Sequence, residues 1–286
     1  GYDALLNVGA PIGAALLLAI LAVGFSNRFI GRSVVRLERA LEAAKAADQS
    51  KAAFLATLSH ELKTPMNGVL GMVQILKRTE LTERQSRIAA TIESSADAQL
   101  SLINDLLSAS KLQHGKFVLE NAPFDVVAVA ESVAEPSRLL AEEKGLTFRF
   151  EAPKSAHRLL GDETAVKQIM TNLASNAVKF TDEGEVSMRL EVDYFGGEAH
   201  VSLSVTDSGP GIDPSLHEAI FERFRQANDS LSRKAGGSGL GLAISRDLAA
   251  LMGGDVAVKS APGRGSTFVF TVALEGAEGA EADLAA

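Results

Sequence analysis

The apolar residues between positions 34 and 76 recur at alternating steps of three and four residues. This spacing keeps one stripe of a helix apolar over many turns, which is typical of a coiled coil or a helix bundle. A polar interval near Asp48 and Lys51 interrupts the stripe, and the register resumes after it. The stripe consists of Val34, Leu37, Leu41, Ala44, Leu55, Leu58, Leu62, Pro65, Val69, Met72 and Leu76.

A second helical stripe follows a polar break around "KRTELTERQ", in which Thr82 is a plausible helix N-cap. This helix is expected to reach about Leu112. Two antiparallel helices with one apolar stripe each cannot bury themselves, so we expect two copies of the chain to pair into a dimeric four-helix bundle. Apolar positions of the second helix include Ile88, Ile92, Ile103 and Leu106.

Residues 4–25, "ALLNVGAPIGAALLLAILAVGF", contain no charged side chain. As a helix this run would span about 30 Å of hydrocarbon. Arginines follow it closely at positions 28, 32 and 36, which favours a cytoplasmic location for the rest of the chain. We predict a transmembrane helix over residues 1–26 and a helical linker over 27–50; a buried helix or a signal peptide are the alternatives. The first residue is not Met, so we expect the chain to be part of a longer one.

The composition limits the class of protein. The chain is 46% hydrophobic and 22% charged over 286 residues, which is enough to bury a core and leaves room for about two domains. The net charge of −8 argues against nucleic acid as a partner. Cysteine is absent, which excludes disulfides and thiolate metal sites and fits a reducing compartment.

After Gly115 the pattern changes to strands that alternate with helices. "KFVLE" and "LTFRFEA" read as strands that flank a helix from about Phe124 to Lys144. Asp162 is a plausible N-cap for the helix "ETAVKQIMTNLASNAVKF". "EVSMRLEVDYFGGEAHVSLSVTD" reads as a hairpin, and a helix from about Leu240 to Met252 precedes two last strands. The expected fold is an α+β sandwich, with one mixed sheet and helices on one face, followed by a small, acidic, flexible tail.

Three polar features could carry chemistry. Asn172, Asn176 and Lys179 share one face of their helix, offering amide oxygens to a hard cation and a positive charge to phosphate. Asp207 ends a strand before "SGPGI" and could accept a hydrogen bond from a ligand amine. "GGSGLGLAIS" places glycines at a helix N-terminus, where phosphate binds well. Each feature has an ordinary structural explanation: a polar helix face, a turn and a loop.

The order of the motifs resembles that of the two-component sensor histidine kinases. "FLATLSHELKTP" is similar to the phosphoacceptor box, "NLASNAVKFT" to the asparagine box and "DSGPGI" to the first glycine box. "FERF", "GSGLGLAIS" and "GRGSTFVF" are similar to the phenylalanine box, the second glycine box and the last strand motif. The resemblance covers residues 51 to about 274 and is strongest to hybrid kinases, which carry a receiver domain. It implies a dimerisation and histidine-phosphotransfer domain over 51–117, an ATP-binding domain over 118–275 and a flexible tail over 276–286.

The resemblance also implies the roles of individual residues. His60 would be the phosphoacceptor, Glu61 its acid-base partner, and Thr64 would position water for dephosphorylating a response regulator. Asn176 would bind Mg²⁺, and Asp207 would bind the adenine of ATP with support from Thr267. Further contacts to the nucleotide would come from Asn172, Lys179, Gly209, Gly211, Phe221, Phe224, Gly237, Gly239 and Gly241.

The expected function is therefore ATP-dependent phosphorylation of His60 and transfer to an aspartate of a receiver domain, by a homodimer in the bacterial inner membrane with cytoplasmic kinase domains. In the helical register His60 points to solvent, about 200° from Leu58 and Leu62. The alternatives are an ATPase with the same nucleotide fold, a scaffold in which phosphatase activity dominates, and a zinc enzyme, against which "HELKT" lacks a second histidine. Pro65 has no N–H for the carbonyl of Glu61, so we expect a hinge there.

Overall fold

The computed structural model describes residues 57–59, 61–225 and 238–277. The expected transmembrane helix over 1–26, the linker over 27–50, His60, Gly237 and the tail beyond residue 277 lie outside these residues. None of the helices within the described ranges is both long enough and apolar enough to cross a membrane.

Two helices form the first part of the described chain. Helix α1 covers 57–59 and 61–77, and α2 extends over Glu83–Gln113. Thr82 caps α2 as the sequence predicts: its side chain accepts from the Gln85 N–H, and the Gln85 side chain accepts from the Thr82 N–H at 2.9 Å. Many apolar side chains of the two helices are exposed in the single chain: Leu58, Leu62, Val69, Met72, Ile75, Leu76, Ile88, Ile92, Leu102 and Leu106.

A mixed seven-stranded sheet with three helices forms the second part. The sheet order is β1-β3-β7-β5-β4-β2, with β6 paired to β7 and only β2 and β4 parallel. The strands are β1 Ala122–Asp125, β2 Thr147–Glu151, β3 Arg158–Gly161, β4 Glu185–Phe195, β5 Glu198–Asp207, β6 Asp255–Ser260 and β7 Ser266–Gly276. The helices are α3 Val126–Glu143, α4 Glu163–Phe180 and α5 Gly241–Leu251.

The core lies between one face of the sheet and the helices. Strand β5 alternates in burial, so that Val201, Leu203 and Val205 face the helices and are almost fully buried. From α4, Ile169 and Leu173 fill the same core. The expected α+β sandwich with helices on one face is confirmed for this part of the chain.

The predicted hairpin is present between β4 and β5. Gly196 and Gly197 connect the strands with φ values of 64° and 91°. Two successive positive φ values belong to a type I′ turn, whose twist matches that of the strands. The hairpin register sets Asp207 opposite Val186 at the other end of the pair.

The strand prediction for "KFVLE" is wrong. Residues 116–120 are irregular, and the strand that forms is β1, immediately afterwards. Phe117 and Leu119 pack against the core while Val118 is exposed, which gives the segment the alternation of a strand. Its backbone N–H groups bond outside the sheet: that of Lys116 donates to the Lys111 carbonyl at 2.9 Å, and that of Glu120 donates to the Asp162 carboxylate at 3.0 Å. Pairing with β3 starts only at Ala122.

Candidate functional site

Helix α4 supplies the polar face that the sequence predicts. Asp162 caps the helix by accepting from the Ala165 N–H at 2.8 Å. The apolar side of α4 is buried, and Asn172, Asn176 and Lys179 are half-buried along one edge of it. The two asparagines and the lysine therefore line the boundary between core and solvent, where a ligand can reach them.

Asn172 is held by α5. Its Nδ2 donates to the carbonyl oxygen of Gly241 at 3.0 Å and to the hydroxyl of Ser245 at 3.1 Å. Both acceptors belong to the first turns of α5. The amide group of Asn172 thus joins α4 to the N-terminal end of α5 instead of pointing both of its donors at a ligand.

Lys179 carries a partly desolvated charge near the end of α4. Burial lowers the pKa of Lys179 below the ordinary lysine value. Its Nζ lies 5.2 Å from the ring centroid of Phe180. A cation with few water neighbours interacts more strongly with an anion, so this position suits a phosphate group.

Asp207 is buried at the end of β5. Its carboxylate accepts from the Gly209 N–H at 2.9 Å and also from the Ser266 N–H. Burial raises the pKa of Asp207, and these two hydrogen bonds oppose the shift. A buried acceptor at a strand end, beside a glycine, can recognise a flat ligand that carries an amino group.

Two glycines make room beside Asp207. A Cβ on Gly209 would lie 2.8 Å from Asp207 Oδ1 and 2.9 Å from the Phe180 carbonyl oxygen. Gly211 has φ of 71°, and a Cβ there would overlap the carbonyl of Ala261. Any side chain at either position would push the turn away from the end of α4 or from the loop before β7.

The structure does not bring Thr267 to this cluster. Its hydroxyl lies 3.0 Å from that of Thr206, its cross-strand partner, on the face of the sheet away from the helices. Ser266 is the residue opposite Asp207, and both are buried. Sequence alternation could have found it, because Ser266, Phe268 and Phe270 have the same parity and face the core.

Phe221 and Phe224 lie beside α5 and the segment that precedes it. The guanidinium of Arg246, on α5, lies 4.7 Å from the ring centroid of Phe221. Phe224 is exposed, has φ of 63° and donates its N–H to the Gly239 carbonyl at 2.9 Å. This bond places Gly239 next to Phe224.

A cleft of about 1040 Å³ borders the site. It lies between the C-terminal halves of α3 and α4 and the turn that follows β5. Lys179, Phe180 and Gly209 are among the residues that line it. Lys179 at the end of α4 and Gly209 in the turn after β5 therefore line one opening.

The C-terminal half of α2 contacts this region. The Ser238 hydroxyl donates to the Asp105 carboxylate at 3.2 Å. Arg223 donates to the Gln113 side chain at 3.3 Å and to Asp247 of α5 at 2.8 Å. Burial raises the pKa of Asp105, with the Ser238 hydrogen bond opposing the shift. In this arrangement α2 and the glycine motif before α5 are in contact.

On α1, the described residues next to position 60 are accessible. Glu61 and Thr64 are exposed, as is Pro65. Pro65 lies inside the helix, so the Glu61 carbonyl lacks the backbone donor that it would have four residues later. The predicted acid-base partner and the predicted hinge are thus both exposed in the single chain.

Comparisons with known proteins agree with this geometry. The family model described as histidine kinase-, DNA gyrase B-, and HSP90-like ATPase matches residues 161–276. The model of the His Kinase A (phospho-acceptor) domain matches residues 50–115. The fold and the site are thus those of an ATPase domain that follows a phosphoacceptor helix pair.

Curated relatives give the same result. Sensor protein GacS of Pseudomonas syringae pv. syringae is 42% identical over 248 residues, which is 84% of this chain and 27% of that protein. Signal transduction histidine-protein kinase BarA of Escherichia coli K12 is 39% identical over 243 residues, 84% of this chain and 26% of that protein. The chain belongs to the sensor histidine kinases. It spans roughly a quarter of the length of these relatives.

A solved structure is also similar. Full-length ShkA in complex with AMPPNP has a TM-score of 0.62 and 40% sequence identity, covering 78% of this chain and 46% of that one. The similarity therefore extends beyond either domain alone.

Proposed function

We propose that this protein uses ATP to phosphorylate His60 and then passes the phosphoryl group to an aspartate of a receiver domain. The observation that carries the proposal is the buried Asp207 carboxylate, which bonds the Gly209 N–H, while Gly209 lines one cleft together with Lys179 at the end of α4. A helix pair matched by the phosphoacceptor family model precedes this site in the same chain.

The described residues suit ATP. Asp207 is placed to accept from the amino group of adenine, and Gly209 lets the ring approach the backbone. We assign Ser266, and not Thr267, to the adenine side, because Ser266 is the neighbour of Asp207. The Lys179 ammonium would contact phosphate, and the start of α5 adds the positive end of a helix dipole. AMPPNP in the ShkA structure supports an adenine nucleotide here.

The residues also suit Mg²⁺. The amide oxygen of Asn176 is a hard neutral ligand of the kind that Mg²⁺ accepts beside phosphate oxygens and water. When bound, the ion would neutralise charge on the phosphates during transfer. Asn172 would act mainly by holding α5 against α4, since its amide already bonds Gly241 and Ser245.

The proposed phosphorylation of His60 needs only the ordinary nucleophilicity of a neutral imidazole ring. A histidine of normal pKa, about 6.5, is mostly neutral at pH 7, so its lone pair can attack without burial. An N–P bond forms while the bond between the γ-phosphorus and the bridging oxygen breaks, and ADP leaves. The ring becomes positive as the bond forms, and the Glu61 carboxylate stabilises that charge and accepts the proton of the other ring nitrogen. Most of the rate enhancement would come from positioning and electrostatics.

Partners and location follow from other parts of the chain. The exposed apolar side chains of α1 and α2 support a homodimer. A receiver domain would dock beside His60, and Thr64 would help to position water when the same protein removes phosphate from it. The similarity to the hybrid kinases favours a receiver in the full protein. The uncharged run over residues 4–25 supports an anchor in the bacterial inner membrane, with the kinase domains in the cytoplasm.

Nucleotide binding and phosphotransfer test the proposal together. Asn176→Ala should weaken ATP–Mg²⁺ binding more than ATP binding in the presence of EDTA. Thr171→Ala, an exposed change on the same helix, is the matched control and should bind as the unmodified protein does. If the protein released labelled phosphate from ATP but carried no label itself, the ATPase alternative would hold. If the protein only removed phosphate from a receiver, the phosphatase alternative would hold.

A further inference from the structure

The C-terminus of α4 ends without the usual glycine cap. Thr181, the residue after the helix, is extended, with φ of −97° and ψ of 120°. The last four carbonyl groups of a helix have no partner inside it, so the carbonyls at the end of α4 need hydrogen-bond donors from elsewhere. These carbonyls belong to residues 177–180, which include Lys179 and Phe180 at the edge of the proposed ATP site.

Lys144 donates to two of those carbonyls. Its Nζ donates to the carbonyl oxygens of Val178 at 2.8 Å and Lys179 at 3.0 Å, and lies 3.3 Å from that of Thr181. The Thr181 hydroxyl adds a bond to the Ala177 carbonyl at 2.7 Å. Two side chains therefore satisfy three successive carbonyls of the last turn, at residues 177 to 179.

Lys144 is itself fixed in place by the end of α3. It is the C-cap residue of α3, and its N–H donates to the carbonyls of Ala141 and Glu142. Gly145 follows with φ of 77° and leads the chain into β2. The lysine thus extends from one helix terminus to the next, and its positive charge lies at the negative end of the α4 dipole.

The fourth carbonyl, that of Phe180, lies close to the turn at Gly209. The Phe180 carbonyl oxygen would lie 2.9 Å from a Cβ on Gly209, so the backbones of α4 and of the turn after β5 are in close approach. A shift of the last turn of α4 would therefore move Lys179 and the Gly209 turn together. Both belong to the proposed ATP site.

We infer that Lys144 is a positioning residue for ATP: it holds the last turn of α4 where Lys179 and Phe180 meet the turn at Gly209. Lys144 also lines the cleft beside that site, but its ammonium bonds the helix end. It acts through the helix and not through the transfer reaction itself, so its loss should change nucleotide affinity and leave the maximal rate nearly intact. The inference rests on the proposed function.

Three substitutions test this role. Lys144→Met removes all three bonds and keeps the aliphatic stem, and Lys144→Arg keeps a cation at the helix end. Lys167→Met removes an exposed positive charge from the first half of α4 and is the matched control. For each protein the dissociation constant for ATP–Mg²⁺, the KM for ATP, the maximal autophosphorylation rate and the unfolding temperature without nucleotide are measured.

Lys144→Met should raise the dissociation constant and KM for ATP about three- to tenfold, as expected for losing a cation at a helix C-terminus. The maximal rate should stay within about twofold of the original. Lys144→Arg should restore most of the affinity, and Lys167→Met should leave it unchanged. If Lys144→Met does not fold, Lys144→Gln is used in its place, because glutamine keeps one donor group. Its affinity for ATP should then lie between that of the original protein and that expected for Lys144→Met.

The inference is overturned if the folded Lys144→Met or Lys144→Gln protein binds ATP with the original affinity. A fall in maximal rate with unchanged KM would overturn it too. Asp207→Asn separates this result from failure of the proposed function. If Asp207→Asn loses ATP while Lys144→Met does not, only the role of Lys144 fails. If Asp207→Asn still binds ATP normally, the site itself is wrong.

Discussion

Asn172 and Gly241 are in contact across two helices that lie far apart in the chain. The Asn172 Nδ2 donates to the Gly241 carbonyl at 3.0 Å, and a Cβ on Gly241 would lie 3.0 Å from Asn172 Oδ1. Gly241 is the first residue of α5, so this contact sets where the N-terminal end of that helix lies relative to α4. The two motifs that resemble the asparagine box and the second glycine box thus form one unit.

Gly241→Ala should disturb that unit. The added methyl group must displace the Asn172 amide, at a cost of about 1–3 kcal/mol in unfolding free energy. Because the start of α5 would shift, we expect autophosphorylation to fall on the order of tenfold. Denaturant unfolding and initial phosphorylation rates measure the two effects.

Gly276→Ala is the control for this change, because a Cβ there has no neighbour within 4 Å. It should leave both quantities within experimental error. Full activity in Gly241→Ala would show that the Asn172–Gly241 contact does not position the site.

Asp207→Asn should separate stability from binding. Burial raises the pKa of Asp207, so the folded domain holds this proton more tightly than the unfolded chain does. The contribution of Asp207 to stability is therefore complete below its unfolded pKa and is lost as pH rises through the folded value. At pH 7 the substitution should leave the unfolding temperature of the nucleotide-free protein equal or higher, while ATP affinity falls by more than about tenfold.

The same carboxylate should make ATP binding dependent on pH. An ionised Asp207 accepts from the adenine amino group, and a protonated one loses acceptor capacity. ATP affinity should therefore weaken as pH falls through the raised pKa, at a higher pH than an ordinary aspartate would require. Calorimetric titrations in the acidic range measure this. An equal pH dependence in Asp207→Asn would assign the effect to another group.

Asp105→Asn should strengthen the contact between α2 and the segment before α5. Asparagine keeps an acceptor for the Ser238 hydroxyl and removes a carboxylate whose pKa is raised by burial. We expect the ATP site to separate from α2 during the proposed transfer to His60, so autophosphorylation should slow by about two- to fivefold. Initial rates with labelled ATP measure this.

Asp97→Asn, an exposed change on the same helix, is the control and should have no effect. Faster autophosphorylation in Asp105→Asn would mean that the contact favours the active arrangement.

Pro65→Ala should stiffen α1. Alanine restores the donor for the Glu61 carbonyl and removes the ring that crowds it, and proline costs about 3 kcal/mol in a helix interior. We expect higher thermal stability of the helix pair and a changed ratio of kinase to phosphatase activity. Asn67→Ala, exposed on the same helix, is the control. An unchanged activity ratio would remove the hinge role.

Local patterns predicted much of the fold. The N-caps at Thr82 and Asp162 and the hairpin turn at Gly196 and Gly197 depend on residues close in sequence, and the structure confirms them. The face of α4 with its two asparagines follows from the helical period. These features need no knowledge of the rest of the chain.

Other features depend on contacts between distant residues and could not be predicted. "KFVLE" has the alternation of a strand, but the pairing with β3 begins only at Ala122. The bond from Asn172 to Gly241 and the cap from Lys144 join separate helices. The position of Ser266 opposite Asp207 is different, because strand parity alone carries that information.

The most direct test of the account is to locate the phosphoryl group. The protein is incubated with ATP and Mg²⁺, and the modified peptide is mapped by mass spectrometry under alkaline conditions that preserve phosphohistidine. We predict one acid-labile, base-stable phosphoryl group on His60, absent from His60→Gln and nearly absent from Asp207→Asn. The same acid-labile label on His60→Gln, or a phosphoryl group mapped to another residue of the unmodified protein, would contradict the account.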